Sequence, residues 1–340
     1  MEGSSLADLW ESRLKFDGWS SKAIKQSEAA LATSTRKAYD NALNKYMIFS
    51  AEKGLEYPPR KSSELAEYIC HLAESTTRPQ SIVNTFLSAL KQALRAKGLP
   101  DITGNDTISR LVTAVTKSQQ RPMTKSTVLP VKTIIDSLRA WGDNNNLSTK
   151  HLRIKTISLL AIALMLRPSD VAPNATFFDK ESLEEKKIIF STDMLNFRDN
   201  GVEVTLFGTK NDLERKGFVV FLPGHSDRDV DPVQTLKFYL ERTAQFRRHK
   251  AVFISLKAPF GPLSSSAVAK DLQECIDMCG LKGSGYTAKS FRPTGATVAI
   301  EKGSDPKMVQ AVGRWKSTEV FYDHYVHCKT SKDFTDKLFS

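Results

Sequence analysis

Apolar residues recur at helical spacing along most of this chain. Between Ser34, a candidate N-terminal cap, and Gly54, the residues Tyr39, Ala42, Leu43, Tyr46 and Met47 follow helical i, i+3, i+4, i+7 spacing, which predicts an amphipathic helix. The same spacing predicts three more: one through Leu65, Tyr68, Ile69 and Leu72, one from Ile82 to Leu94 stopped by Gly98, and one through Ile108, Leu111, Val112 and Val115. Four such helices can share one small core. Residues 1–27 hold Leu6, Leu9, Trp10, Leu14 and Trp19 without a clean period and are read as an N-terminal arm. Residues 118–129 are polar around a central proline and read as a linker between a helical region, 28–117, and a second region, 130–328. The second region opens with a helix after Pro130, followed by a stretch from Ile154 to Leu166 that is apolar almost all round and therefore a core helix. Residues 202–206 alternate and 217–222 are apolar, so 202–222 reads as two strands joined by Gly208 to Lys216, with Lys187 to Phe190 a shorter third strand. Helices are then predicted over 232–247, 264–279, 291–302, 306–312 and 318–328. The expected fold class is mainly α with a small antiparallel sheet (α+β).

Composition narrows the function. The 340 residues carry 49 Lys and Arg against 38 Asp and Glu, a formal charge of +11, with 40% hydrophobic and 26% charged residues. That is a globular composition whose positive charge attracts phosphate polyanions through counterion release. The longest apolar run, Leu159 to Leu166, is far below the roughly 20 residues of a bilayer crossing, so no membrane association is expected. Four scattered cysteines (Cys70, Cys275, Cys279, Cys328) make no disulfide framework and no recognised zinc spacing, which favours a reducing, intracellular setting and no metal. There is no Walker-type loop and no His-Glu-x-x-His.

The informative feature is a set of cations and one aromatic hydroxyl at element ends. Arg167 follows the core helix and precedes Pro168, at the mouth of a core; alone, it reads as an arginine satisfying that helix's last carbonyls. Lys210 lies in Gly208-Thr209-Lys210-Asn211-Asp212, at the tip of the strand pair, where the default is a solvated lysine. Lys289 and Arg292 sit in Lys289-Ser290-Phe291-Arg292-Pro293, at the N-terminal end of a helix. Cations there cost stability unless an anion is bound. Trp315 and Tyr325 read, one at a time, as core aromatics.

Taken in order, Arg167, Lys210, Lys289, Arg292, Trp315 and Tyr325 resemble the tyrosine recombinase (phage integrase) family over nearly the whole chain. Phe291-Arg292-Pro293-Thr294-Gly295-Ala296, Gly313-Arg314-Trp315 and His324-Tyr325 look closest to recombinases of eukaryotic mobile elements of the DIRS and Crypton type. The resemblance implies a helical core-binding (SAM-like) N-terminal domain, a basic linker and an integrase-type catalytic domain. It implies that Tyr325 attacks a DNA phosphodiester and becomes joined to the 3′ phosphate, while Arg167 and Arg292 clamp the non-bridging oxygens. Lys210 would protonate the departing 5′ oxygen, Lys289 stands where most relatives carry a proton-transferring histidine, and Trp315 would donate to the phosphate or pack beside it. No metal and no cofactor are implied. Departures are Asp170 where glutamate is usual, proline after Arg292, and ten positions from Trp315 to Tyr325, which keeps Tyr322 in reserve as nucleophile.

The implied partner is double-stranded DNA, held as a homo-tetramer assembled from monomers, in the nucleus if the source is eukaryotic. Lys117, Arg121 and Lys125 at the linker, and Arg36 in the first long helix, are the expected phosphate contacts. Residues 329–340, with Phe334, Leu338 and Phe339, are expected to pack on a neighbouring subunit. A type IB topoisomerase shares the chemistry, and a host-adopted descendant that binds DNA or protein without strand transfer shares the residues.

Overall fold

The computed structural model describes residues 5–118, 126–173, 176–179, 181–182, 184–209, 212, 214 and 216–325. The chain forms two compact units. The first is Met1–Pro122 together with Thr176–Lys186, and the second is Met123–Ala175 together with Lys187–Ser340.

The first unit holds α1 (Leu6–Phe16), α2 (Ser21–Glu28), α3 (Thr33–Lys53), α4 (Ser62–Ser75), α5 (Pro79–Ala96) and α6 (Asp106–Lys117). The four helices expected from periodicity are α3 to α6, and Gly54 ends α3 in the left-handed conformation that glycine tolerates best. Their apolar faces meet in one core around Tyr46, Tyr68, Phe86 and Leu90. The segment read as an arm is two helices. Ser5 caps α1, Leu6 is buried in that core, and the Leu6 amide donates to Asp40 of α3 at 2.8 Å. Only Leu6 and Leu14 of α1 are fully buried, too few to set a period in the sequence.

The second unit opens with α7 (Val131–Ala140) and α8 (Thr149–Ala163). Every residue of α8 from Leu152 to Ala161 is buried, as its all-round apolarity requires. Its two charged exceptions are satisfied: Arg153 makes a two-pronged pair with Asp271 at 2.7 and 3.0 Å, and Lys155 donates to the Gly142 carbonyl at 3.1 Å. Next in sequence, β1 (Thr176–Asp179) and β2 (Glu184–Lys187) form a two-stranded sheet that, up to Lys186, belongs to the first unit; in the second unit β3 (Leu195–Arg198), β4 (Gly201–Leu206) and β5 (Phe218–Pro223) form an antiparallel sheet in that order. Val202 faces Leu222 and Val204 faces Val220, so one side of the sheet is buried. The third strand of this sheet is 195–198 rather than the expected 187–190. Only Lys187 of that segment is strand, at the end of β2. The Phe190 side chain is buried and its carbonyl accepts from the Val252 amide at 2.8 Å, so this stretch pairs with residues near 251 instead. The helices α9 (Pro232–Thr243), α10 (Ser265–Ile276), α11 (Phe291–Glu301), α12 (Pro306–Val312) and α13 (Thr318–Tyr325) follow. Among the described residues no helix is long and apolar enough to cross a membrane, and no group of three metal-ligating side chains occurs.

One close approach fixes the site. A Cβ built on Gly295 of α11 would lie 2.1 Å from the Ile162 carbonyl oxygen of α8, inside contact distance with backbone that has no room to yield. Gly295→Ala is therefore expected to cost about 2–3 kcal/mol, by the overpacking it forces. An unchanged urea midpoint would show that the two helices are not held this tightly.

Candidate active site

Two helices end at the same place, and both ends are built alike. After α8 the chain turns through Met165, whose φ of 50° is left-handed, and the Leu166 amide reaches back to the Ala161 carbonyl at 3.1 Å. After α12 it turns through Arg314, φ 59°, with the Trp315 amide reaching back to Gln310 at 3.1 Å. This six-to-one closure usually takes glycine at the turning residue; a side chain there costs about 1–2 kcal/mol. Strained backbone of this kind concentrates at functional sites.

The carbonyls left over at these two ends hold arginines. Arg292, 3% exposed, donates through one terminal nitrogen to Met165 and through the other to Gly313. Arg314 donates to Leu164 at 3.3 Å and Val312 at 2.9 Å, and pairs with Asp170 at 3.0 Å. The negative ends of two helix dipoles thus grip two guanidinium groups. This revises two expectations. The carbonyls at the end of α8 go to Arg292 and Arg314, not to Arg167. Arg292 stands in the first turn of α11, but its side chain turns to the carbonyl ends of α8 and α12 rather than crowding its own helix N-terminus. Asp170, in the 3-10 turn Pro168–Val171, also accepts from the Arg167 amide at 2.9 Å and so ties that turn to Arg314.

Three guanidinium groups against one carboxylate leave the cluster positive. Burial, then the charges of Arg167 and Arg314, push the Arg292 pKa down, with Asp170 and Tyr325 opposing. Arg314 is lowered by burial and Arg167, against the pull of Asp170. A guanidinium does not give up its proton under such pressure, so the charge stays and an anion that approaches it is stabilised. Arg292 Nε is buried with no hydrogen-bond partner among the described residues.

Beside the cluster opens a cleft of about 1260 Å³. Arg167, Lys289, Arg292 and Tyr325 all line it, together with Lys270, and among the described residues no carboxylate does. Tyr325 rests on Trp315, ring centroids 4.6 Å apart, and the Arg292 guanidinium lies 4.1 Å from the Trp315 ring and 5.8 Å from that of Tyr325. Trp315 is 6% exposed, does not line the cleft, and forms a shelf under the arginine and the phenol. Tyr322 is 41% exposed, packs edge-on to Phe321 and stays outside the cleft.

Other expected residues stand elsewhere. Lys117 is exposed in the last turn of α6, and Arg36 is half-buried in the first turn of α3, both in the first unit. Lys210, Arg121, Lys125, the tail 329–340 and the linker from 119 to 125 lie outside the described residues. The connection that carries Lys210 is framed by Asp212, which accepts from the Gly208 amide at 2.9 Å and the Gly217 amide at 3.1 Å. Sequence reading missed Lys270 and the structural weight of Arg314. Lys270 shares the polar face of α10 with Ser266, Ala269 and Gln273, at i, i+3, i+4 and i+7, and that face was visible in the pattern.

No family model and no curated protein matches the chain. Solved structures do. A lambda integrase dimer bound to a COC′ core site matches at 16% identity and TM-score 0.54, over 97% of this chain and 99% of that one. The Tn1549 transposon integrase in complex with circular intermediate DNA matches at 13% and 0.53, over 99% and 100%. The XerH site-specific recombinase in its post-cleavage complex matches at 13% and 0.57, over 99% and 85%. The chain therefore has the fold of the tyrosine recombinases and integrases.

Proposed function

We propose that this protein is a DNA strand-transfer enzyme, a tyrosine-type recombinase or integrase, which cuts and rejoins DNA through Tyr325. One observation carries the reading: Tyr325 shares a cleft with four cations, Arg167, Lys270, Lys289 and Arg292, and, among the described residues, with no carboxylate. A backbone phosphate entering that cleft meets forked donors for its non-bridging oxygens and a phenol for its phosphorus.

In the first step the Tyr325 oxygen bonds to phosphorus and the bond to the 5′ oxygen breaks, leaving DNA joined by its 3′ phosphate to the protein. Arg167 and Arg292 neutralise the added charge of the pentacoordinate transition state, and Arg292 is held in place beforehand by the helix ends described above. The phenolic proton leaves to solvent while the Lys289 ammonium on the same cleft stabilises the phenolate, and Lys210 supplies a proton to the departing 5′ oxygen. The covalent bond preserves the energy of the phosphodiester, so a new 5′ hydroxyl reverses the chemistry without nucleotide fuel. Positive charge that other phosphoryl-transfer sites draw from Mg²⁺ comes here from side chains, so the reaction requires no metal.

The finer reading places the chain with mobile-element recombinases of the DIRS and Crypton type, on Phe291 to Ala296, Gly313-Arg314-Trp315 and His324-Tyr325. Exchange between two sites needs two duplexes, which supports a tetramer on DNA, and a nuclear location if the source is eukaryotic. Lys117, Arg36, Arg121 and Lys125 contact phosphates away from the reacting one.

The test mixes two differently labelled duplexes with the protein in EDTA. Strand exchange is expected. Relaxation of supercoiled DNA without exchange would move the chain to topoisomerase chemistry, and binding without any covalent product would leave it a DNA-binding protein.

A further inference from the structure

Buried threonines in the helices of the second unit share a habit, and one departs from it. Thr156 donates to Leu152 at 2.7 Å, Thr235 to Asp231 at 2.7 Å, Thr243 to Tyr239 at 2.8 Å and Thr294 to Ser290 at 2.6 Å, each to the carbonyl four residues back. That is the default for a hydroxyl on a helix interior, since it satisfies the donor locally. Thr297, 3% exposed on α11, instead donates across to the main-chain carbonyl of Tyr325 at 2.7 Å, 28 residues away.

We propose that Thr297 is a positioning residue that holds Tyr325 in register with the anion-binding arginines, resting on the reading of Tyr325 as nucleophile. The geometry gives the reason. Arg292 and Thr297 stand five residues apart on one helix, with α11 fixed against α8 by the close approach of Gly295. Arg292 anchors the phosphate side of the reaction. Thr297 anchors the backbone of the residue that carries the phenol, and the Trp315 ring supports its side chain. One rigid element thus sets both ends of the bond to be made. Without the hydroxyl, the Tyr325 carbonyl loses its bond across to α11, and the tie between the residue that carries the phenol and the helix that carries Arg292 is weakened.

Thr297→Val keeps the branched shape and removes only the donor. With a nicked duplex at saturating concentration, single-turnover adduct formation should slow about ten- to a hundredfold, the usual consequence of a misplacement near 1 Å. The dissociation constant for the same duplex should stay within about twofold, because no phosphate contact has changed. Thr297→Ser, which restores the donor, should recover most of the rate. Thr156→Val, at a threonine equally buried whose shorter bond stays within its own helix while a longer one reaches the Thr235 carbonyl at 3.3 Å, controls for the loss of a core hydroxyl remote from Tyr325 and should leave the rate of folded protein unchanged.

A wild-type rate in Thr297→Val overturns the proposal. So does a fall matched by Thr156→Val, or one that Thr297→Ser does not recover, since either would mark a general packing defect. If Thr297→Val fails to fold, the comparison of Thr297→Ser with Thr297→Ala decides: equal rates overturn it. Wild-type protein that forms no adduct at all would instead overturn the reading of Tyr325 itself.

Discussion

Tyr325→Phe is expected to abolish covalent protein–DNA adducts, with residual formation below about one part in a thousand, while duplex affinity stays within about twofold of wild type. The substitution deletes one oxygen and keeps the ring that packs on Trp315 at 4.6 Å, so the small core of Met165, Ala296, Val309, Trp315 and Phe321 should survive. Loss of a nucleophile removes the covalent path entirely, and such losses run to several orders of magnitude. Tyr322→Phe should leave adduct formation nearly untouched, because Tyr322 faces solvent and lies outside the cleft. Denaturing electrophoresis of a labelled nicked duplex reads both. Adducts that persist in Tyr325→Phe and vanish in Tyr322→Phe would transfer the role to Tyr322.

Arg167→Ala and Arg292→Ala are each expected to lower the cleavage rate by about 10²–10³, the effect of removing one preorganised donor from a developing anion. Their stabilities should differ. Arg167 is half-buried and its side chain anchors no helix end, so Arg167→Ala should unfold near the wild-type urea midpoint. Arg292→Ala strips donors from the Met165 and Gly313 carbonyls, a loss of about 1–3 kcal/mol per buried group, set against relief of repulsion from Arg167 and Arg314. Sulfate separates charge from packing. By binding the native cluster it should raise the melting temperature of wild type, and less so that of either variant. Equal cleavage by wild type and Arg167→Ala would remove the clamp from the account.

Much of this was legible in the sequence. Amphipathic helices announce themselves through spacing, and α3 to α6 and the strands β4 and β5 stand where periodicity placed them, whereas α8 runs Thr149–Ala163 rather than 154–166, because the apolar run continues past the helix end. The strand β3 was not legible: Leu195-Asn196-Phe197-Arg198 is four residues long, too short for alternation to stand out, whereas Lys187 to Phe190 carried an apolar run whose burial comes from loop pairing. At the site, the resemblance to the tyrosine recombinases implied that Arg167, Lys289, Arg292 and Tyr325 act together, and the four line one cleft. The direction of the Arg292 side chain was hidden, since it depends on where α8 and α12 finish relative to α11. The roles of Arg314 and Thr297 were hidden for the same reason: a buried cation or hydroxyl has no sequence signature apart from the partner that folding brings to it.

The most direct test of the central claim is the chemical address of the covalent bond. Unsubstituted protein is incubated with a nicked duplex that traps the cleaved strand, digested, and the peptide that retains a nucleotide is sequenced by mass spectrometry. The account predicts a single phosphotyrosyl linkage at Tyr325, formed in EDTA, to the 3′ phosphate of the cut strand. A linkage at any other residue, or intact duplex bound with no linkage at all, would contradict it.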